Sequence, residues 1–194
     1  NNIFFYSKKI SIFLIAFYPI ALVVGPLIAE ALVLIINLLF IFNYRHKIFS
    51  KDKNIIFFLI IWSYLILNIF ISLNENFEFM RQLFYIRFII FAYAIKNFLS
   101  SKADFSLIFK TWILFFIIIF VDLTYEKING SNFLGFQSPN DLRLVGFLKD
   151  ELRIAYIISG FCFLITGYLM NLKKNKVLAI AFMIITISII FITG

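Results

Sequence analysis

The length of its apolar runs constrains this chain most: several approach or reach the roughly 17 to 25 residues that carry a helix across a bilayer. The first run, Ile10 to Phe42, is too long for one span. It is broken by Gly25-Pro26, a helix-ending pair followed by Glu30, so it predicts two helices joined by a tight turn. Further helices are expected at Ile55 to Leu73, Arg81 to Phe98, Leu107 to Val121, Ile154 to Met170 and Val177 to Thr193. With 63% hydrophobic and only 14% charged residues, the chain falls outside the range of soluble domains, which are about half apolar and about a quarter charged. The expected fold is therefore all-α: a polytopic transmembrane bundle of about seven helices, one domain over residues 1–194, with one compact hydrophilic loop at about 123–152.

Orientation follows from the basic residues, which concentrate in short cytoplasmic loops. With the N-terminus inside, the cytoplasmic set holds twelve basic residues (Lys8, Lys9, Arg45, Lys47, Lys51, Lys53, Lys96, Lys102, Lys110, Lys173, Lys174, Lys176) against Asp52 and Asp104. The opposite set, counting Glu30 and Arg87 with it, holds six basic and eight acidic residues. A missing or extra helix would scramble this partition, so the 123–152 loop is expected to face away from the cytoplasm.

The net charge of +8 thus reads as topology, not as a nucleic-acid footprint. Cys162, the single cysteine, lies inside an apolar run and His46, the single histidine, sits in a basic loop; neither offers a disulfide or a metal site. No glycine-rich phosphate loop, zinc motif or serine-histidine arrangement is present, so no cofactor is expected. The first apolar run lacks a small-residue cleavage pattern and leads into another helix, so no cleavable signal is expected. The chain begins at Asn1 and stops at Gly194 directly after an apolar run, which reads as part of a longer protein. No internal repeat of the kind built into many secondary transporters stands out.

Nine charges lie between Asp122 and Arg153, and Asn129-Gly130 and Ser138-Pro139-Asn140 are turn signals, which predicts a compact loop. Within it, Arg143 and Arg153 bracket Asp150-Glu151. Two readings are open. A guanidinium at the membrane surface can hold a phosphate by two parallel hydrogen bonds while a carboxylate takes a proton from a sugar hydroxyl; alternatively the four form salt bridges capping the next helix. Arg87 lies inside an otherwise apolar helix, a costly position that suggests function unless the side chain snorkels to the interface. Glu30 reads as a partner of its own helix N-terminus.

Taken together, Gly25-Pro26 with Glu30, Ile86-Arg87-Phe88, Asp122, Asn129 to Asn132, Phe133-Leu134-Gly135, the run Arg143-Leu-Val-Gly146-Phe147 with Asp150-Glu151-Leu152, and Ile192-Thr193-Gly194 resemble the O-antigen ligase and O-antigen polymerase family of bacterial membrane glycosyltransferases. The resemblance spans nearly the whole chain, and the Arg-x-x-Gly-Phe-x-x-Asp-Glu-Leu run is its most distinctive part. It implies metal-independent transfer or polymerisation of an undecaprenyl-diphosphate-linked glycan to a glycan or lipid acceptor, at the periplasmic face of the inner membrane. On that resemblance Arg143 and Arg87 are diphosphate-binding candidates, with Arg81 and Arg153 weaker additions. Asp150 and Glu151 are the candidate base, or structural, and Asp122 supports them. Ligases of the family also use a large later periplasmic loop beyond the stretch matched here. Besides its substrate, membrane lipid is the expected partner, and nucleic acid is not. The competing expectation is a transporter or flippase for a lipid-linked or anionic substrate, with Arg87 as its intramembrane binding group; a non-catalytic scaffold is a third.

Overall fold

A computed structural model describes residues 2–44, 53–71, 82–137, 144–148, 154–172 and 176–193. Among these, seven α-helices occur and no strand: α1 (Asn2–Val24), α2 (Pro26–Tyr44), α3 (Lys53–Ile71), α4 (Ile86–Phe98), α5 (Lys102–Asn129), α6 (Ile154–Asn171) and α7 (Lys176–Thr193), with a 3-10 turn at Gly146–Leu148. The spans Phe5–Val24, Pro26–Tyr44, Lys102–Asn129 and Ile154–Asn171 are long and apolar enough to cross a membrane, the pattern of a membrane protein. Ile55–Asn68 and Lys176–Phe191 are shorter apolar helices.

The break at Gly25-Pro26 lies where the sequence places it. One residue separates α1 from α2, and proline opens α2, where its missing N–H is one of the donors a first turn leaves unpaired anyway. The opening of α5 is equally local: Ser101 Oγ accepts the Asp104 N–H and Asp104 Oδ2 accepts the Ser101 N–H, each at 3.1 Å, a reciprocal capping box. The expected helix from Arg81 is shorter than its apolar run. A helical turn at 82–84 gives way at Tyr85, and α4 starts at Ile86.

The chain divides into two compact units, Asn1–Ile15 with Glu30–Asp104, and Ala16–Ala29 with Phe105–Gly194. In the first, Val33, Ile36, Phe40 and Tyr44 recur every three or four residues along α2 and are buried. Phe40 stacks on Tyr44 (5.4 Å between centroids) and meets Tyr93 and Phe98 edge-on. α3 packs on α4 and leaves Ile56 through Ile61 exposed, a face suited to lipid.

In the second unit, Ile108, Trp112, Phe116, Ile119 and Leu123 form the buried stripe of α5, and Ile154, Ile158, Phe161, Cys162, Ile165 and Leu169 that of α6. Phe161 receives Trp112 edge-on at 4.8 Å, and Phe109 stacks on Tyr168 at 4.3 Å. α6 and α7 pack against each other. Cys162 is a buried free thiol in this core.

One boundary departs from the sequence reading in a way that matters for function. α5 does not end near Val121 but continues to Asn129, taking the first seven residues of the expected 123–152 loop into the helix. The charged residues Asp122, Glu126 and Lys127 read as loop because they interrupt the apolar run. Both acids instead lie on one face, one turn apart, and are buried. Asn129-Gly130, taken as a loop turn, is the helix end: Gly130 adopts φ +76° and its N–H donates to the Glu126 carbonyl at 2.8 Å.

Candidate functional site

Of the residues singled out in the sequence, Arg81, Arg143, Asp150, Glu151 and Arg153 lie outside the described residues. Arg87 and Asp122 lie within them, one in each unit, Arg87 at the centre of a partly exposed polar arrangement and Asp122 at the centre of a buried one.

Arg87, in the first turn of α4, places an outer guanidinium nitrogen 2.6 Å from Glu30 Oε1 on α2. Two turns along α2 from Glu30, Asn37 donates through Nδ2 to the Arg87 carbonyl at 2.8 Å. One arginine is therefore tied to α2 at both its side chain and its backbone. The guanidinium also lies 4.9 Å from the centre of the Phe88 ring. Glu30 thus engages the cation, not its own helix N-terminus. Arg87 Nε, Glu30 Oε2 and Asn37 Oδ1 are buried without a hydrogen-bond partner. Glu30 occupies one outer nitrogen of the guanidinium, so an anion such as diphosphate would meet Arg87 through its remaining donors and in competition with the carboxylate charge.

The second arrangement is built on the extension of α5. Asp122 is 0% exposed, Glu126 1% and Asn132 2%. Glu126 Oε1 accepts the Val145 N–H at 3.1 Å and Oε2 accepts the Gly146 N–H at 2.7 Å. These donors open the 3-10 turn Gly146–Leu148, where first-turn N–H groups need an acceptor from outside. Asp122 Oδ1 accepts the Phe133 N–H at 2.9 Å. Asn132 donates through Nδ2 to the Gly146 carbonyl, while its Oδ1 accepts from Leu134 (3.0 Å) and Phe136 (2.8 Å). Two acids and one amide thus fasten the segments 132–136 and 144–146 onto the end of α5.

Gly146 is required at the centre of this clamp. Its φ is +54°, and a Cβ there would meet Leu123 Cδ2 at 3.2 Å, Ile154 Cδ1 at 3.3 Å and Asp122 Oδ2 at 3.4 Å. Asp122 Oδ2 is itself buried and without a partner. Among the described residues no group of three histidine, cysteine or carboxylate side chains is placed to hold a metal ion.

The sequence reading missed Glu126, Asn132 and Asn37. Asp122 and Glu126 did carry a signal, the i, i+4 spacing of two acids directly after an apolar helix. Asn37 carried one too, as a lone amide in an apolar run. Asn132 gives none, because its partner Gly146 lies fourteen residues away. Comparison with protein-family models, with curated proteins and with solved structures finds no match to this chain.

Proposed function

We propose that the chain is a membrane glycosyltransferase of the O-antigen ligase or polymerase type, acting on an undecaprenyl-diphosphate-linked glycan at the periplasmic face of the inner membrane. The observation that carries the reading is the way Gly146, inside the Arg-x-x-Gly-Phe-x-x-Asp-Glu-Leu run, is gripped by Glu126 and Asn132. A solvated connector has no use for three buried polar side chains; a segment that must present Arg143, Asp150 and Glu151 in a fixed order does. In this reading Arg143 holds the diphosphate as the glycosidic bond breaks, Asp150 or Glu151 takes the acceptor's proton, and Arg81 and Arg153 add positive charge. Asp122 and Glu126 are spent on backbone N–H groups and act as supports, not as base. Arg87 joins the diphosphate set only in competition with Glu30, which already holds one of its nitrogens.

The proposed orientation draws support from the ion pairs. Lys8 and Asp104, both in the cytoplasmic set, meet at 3.0 Å, and Arg87 and Glu30, both in the outer set, meet at 2.6 Å. Replacing Arg143 with alanine and measuring glycan transfer at equal expression tests the assignment. A drop of about a hundredfold, the scale of losing one group that stabilises developing charge, is expected. Unchanged transfer removes the diphosphate role.

The Arg87–Glu30 pair favours a second reading, a transporter or flippase for an anionic substrate that competes for Arg87. Vesicles showing translocation of a lipid-linked glycan without glycosyl transfer would select it.

A further inference from the structure

The first unit holds a groove that the proposed reaction leaves unused. Ile89, Ala92, Tyr93 and Lys96 recur every three or four residues along α4 and so share one face. Ala92 has the smallest side chain of the four, and between this face and Phe57 and Phe58 of α3 lies a cavity of about 370 Å³. A second cavity of about 200 Å³, walled by Phe40 of α2, Leu59 of α3 and Ile86 of α4, shares Ile55, Ile89 and Tyr93 with the first. The two are lobes of one groove beside α4, running from Ile86 to Lys96. Phe57 is 60% exposed and Phe58 44%, so the groove opens on the side where α3 leaves its apolar face uncovered.

Length, volume and charge each bear on the occupant. From Ile86 to Lys96 is about 15 Å at 1.5 Å per residue, half the roughly 30 Å of a hydrocarbon core and so the length of the acyl chains of one leaflet. The larger lobe alone lies within the roughly 300–1,000 Å³ of small-molecule sites. Of the described side chains that line the two lobes, only Tyr93 and Lys96 carry a polar group, so a water-soluble ligand would find few partners along the rest. Lys96 stands at the end where α3 begins and α4 finishes. The sequence leading into α3 and out of α4, residues 45–53 and 96–102, holds Arg45, Lys47, Lys51, Lys53, Lys96 and Lys102 against Asp52, a composition that suits an anionic head group. Arg87 lines neither lobe, which sets the groove apart from the diphosphate candidates.

We propose that this groove seats one acyl chain of an anionic phospholipid, with the lipid phosphate at Lys96 and the chain lying along α4 toward Ile86. Such a lipid fills the space that α3 and α4 leave between them and ties the two helices together. The inference does not rest on the glycosyltransferase reading, since a bound phospholipid requires no reaction.

The test uses the intact protein in nanodiscs that contain phosphatidylglycerol or phosphatidylcholine with a photoactivatable diazirine on the acyl chain, and locates the labelled residues by peptide mass spectrometry. Phosphatidylglycerol is expected to label the groove residues of α3 and α4, relative to the exposed Phe191 of α7, about fivefold more than phosphatidylcholine does, the scale of one basic residue near an anionic head group. Ala92→Trp, at an exposed position, should fill the larger lobe and remove most of the groove labelling while labelling at Phe191 persists. Lys96→Gln leaves the groove open and should bring the two lipids to parity, which keeps the test decisive should Ala92→Trp fold poorly. Groove labelling no denser than that at Phe191, or a preference for phosphatidylglycerol that survives Lys96→Gln, overturns the proposal. Displacement of phosphatidylglycerol by a polyprenyl diphosphate at lower mole fraction overturns it as well, by assigning the groove to a lipid-linked substrate. Glycan transfer is read separately, so failure here leaves the Arg143 test untouched.

Discussion

The two polar centres face the same difficulty, ionisable side chains among apolar helices, and meet it in opposite ways. In the first unit Arg87 is matched by a carboxylate of opposite charge, with both side chains about one-third exposed (31% and 37%). In the second, Asp122 and Glu126 are both acids, stand one turn apart, are themselves fully buried, and are held by backbone N–H groups. The first centre depends on charge balance and can be exchanged or neutralised as a pair. The second depends on the acceptor positions of particular oxygens and the shape of Gly146, so no balancing charge elsewhere can replace it.

The largest expected effect is therefore at Glu126. Glu126→Ala removes the acceptor of two backbone hydrogen bonds and strands the buried Val145 and Gly146 N–H groups, at about 1–3 kcal/mol each. Limited proteolysis and amide exchange of residues 130–148 should show the loop released. Glu126→Gln should recover part of the protection, because one oxygen can still accept. A loop as protected in Glu126→Ala as in the parent would mean that the clamp does not hold it.

The centre that matters most in this contrast is the one the sequence disclosed least. The Gly25-Pro26 break and the apolar stripes of α5 and α6 are written in neighbouring residues, and local physics decides them; the cap at Ser101 and Asp104 is as local, but the expected helix began only at Leu107 and passed over it. The end of α5 is not so written. Charged residues after an apolar run read as solvent, and only the return of the chain from Asn132 to Gly146 makes it favourable to bury Asp122 and Glu126. The same holds for Arg87. Its place among apolar residues was legible, but the structure puts it in the first turn of α4 rather than inside the helix, and Glu30, 57 residues earlier, was not legible as its partner. Arg143, Asp150 and Glu151 rest on the charge pattern of the sequence and on the resemblance, with Gly146 beside them as the residue whose backbone the fold holds.

An intermediate effect is expected where charge balance decides. Arg87→Ala leaves Glu30 without its partner, and Glu30→Ala leaves Arg87 so. Loss of one member of a fully buried pair costs about 3–5 kcal/mol, and the partial exposure of this pair brings the expectation to roughly half that. The neutral pair Glu30→Gln with Arg87→Gln should be less harmful than either single change, read as thermal stability in detergent. Were the double variant the least stable of the three, charge balance would not be what this centre provides. The same set bears on the transporter reading: there, transport is lost in the neutral pair even though stability returns.

The smallest effect is expected at the pair Lys8–Asp104, and it shows where neither strategy counts for much. Lys8 Nζ lies 3.0 Å from Asp104 Oδ2 and 2.7 Å from Ser100 Oγ, but this lysine belongs to a partly exposed helix end, where water and salt screen it. Lys8→Gln should cost no more than about 1 kcal/mol. Asp104→Ala should cost more, because it also removes the acceptor of the Ser101 N–H, the reciprocal half of the capping box, worth about 0.5–1 kcal/mol, while the bond from the Asp104 N–H to Ser101 Oγ stays. Thermal unfolding of the two variants at low and high salt separates the parts: the Lys8 effect should fade with salt, and the excess of Asp104→Ala over Lys8→Gln should persist. Equal losses that vanish together in salt would make the ion pair, not the cap, the contribution of Asp104, and this helix end would then follow the charge-balance rule of Arg87 and Glu30.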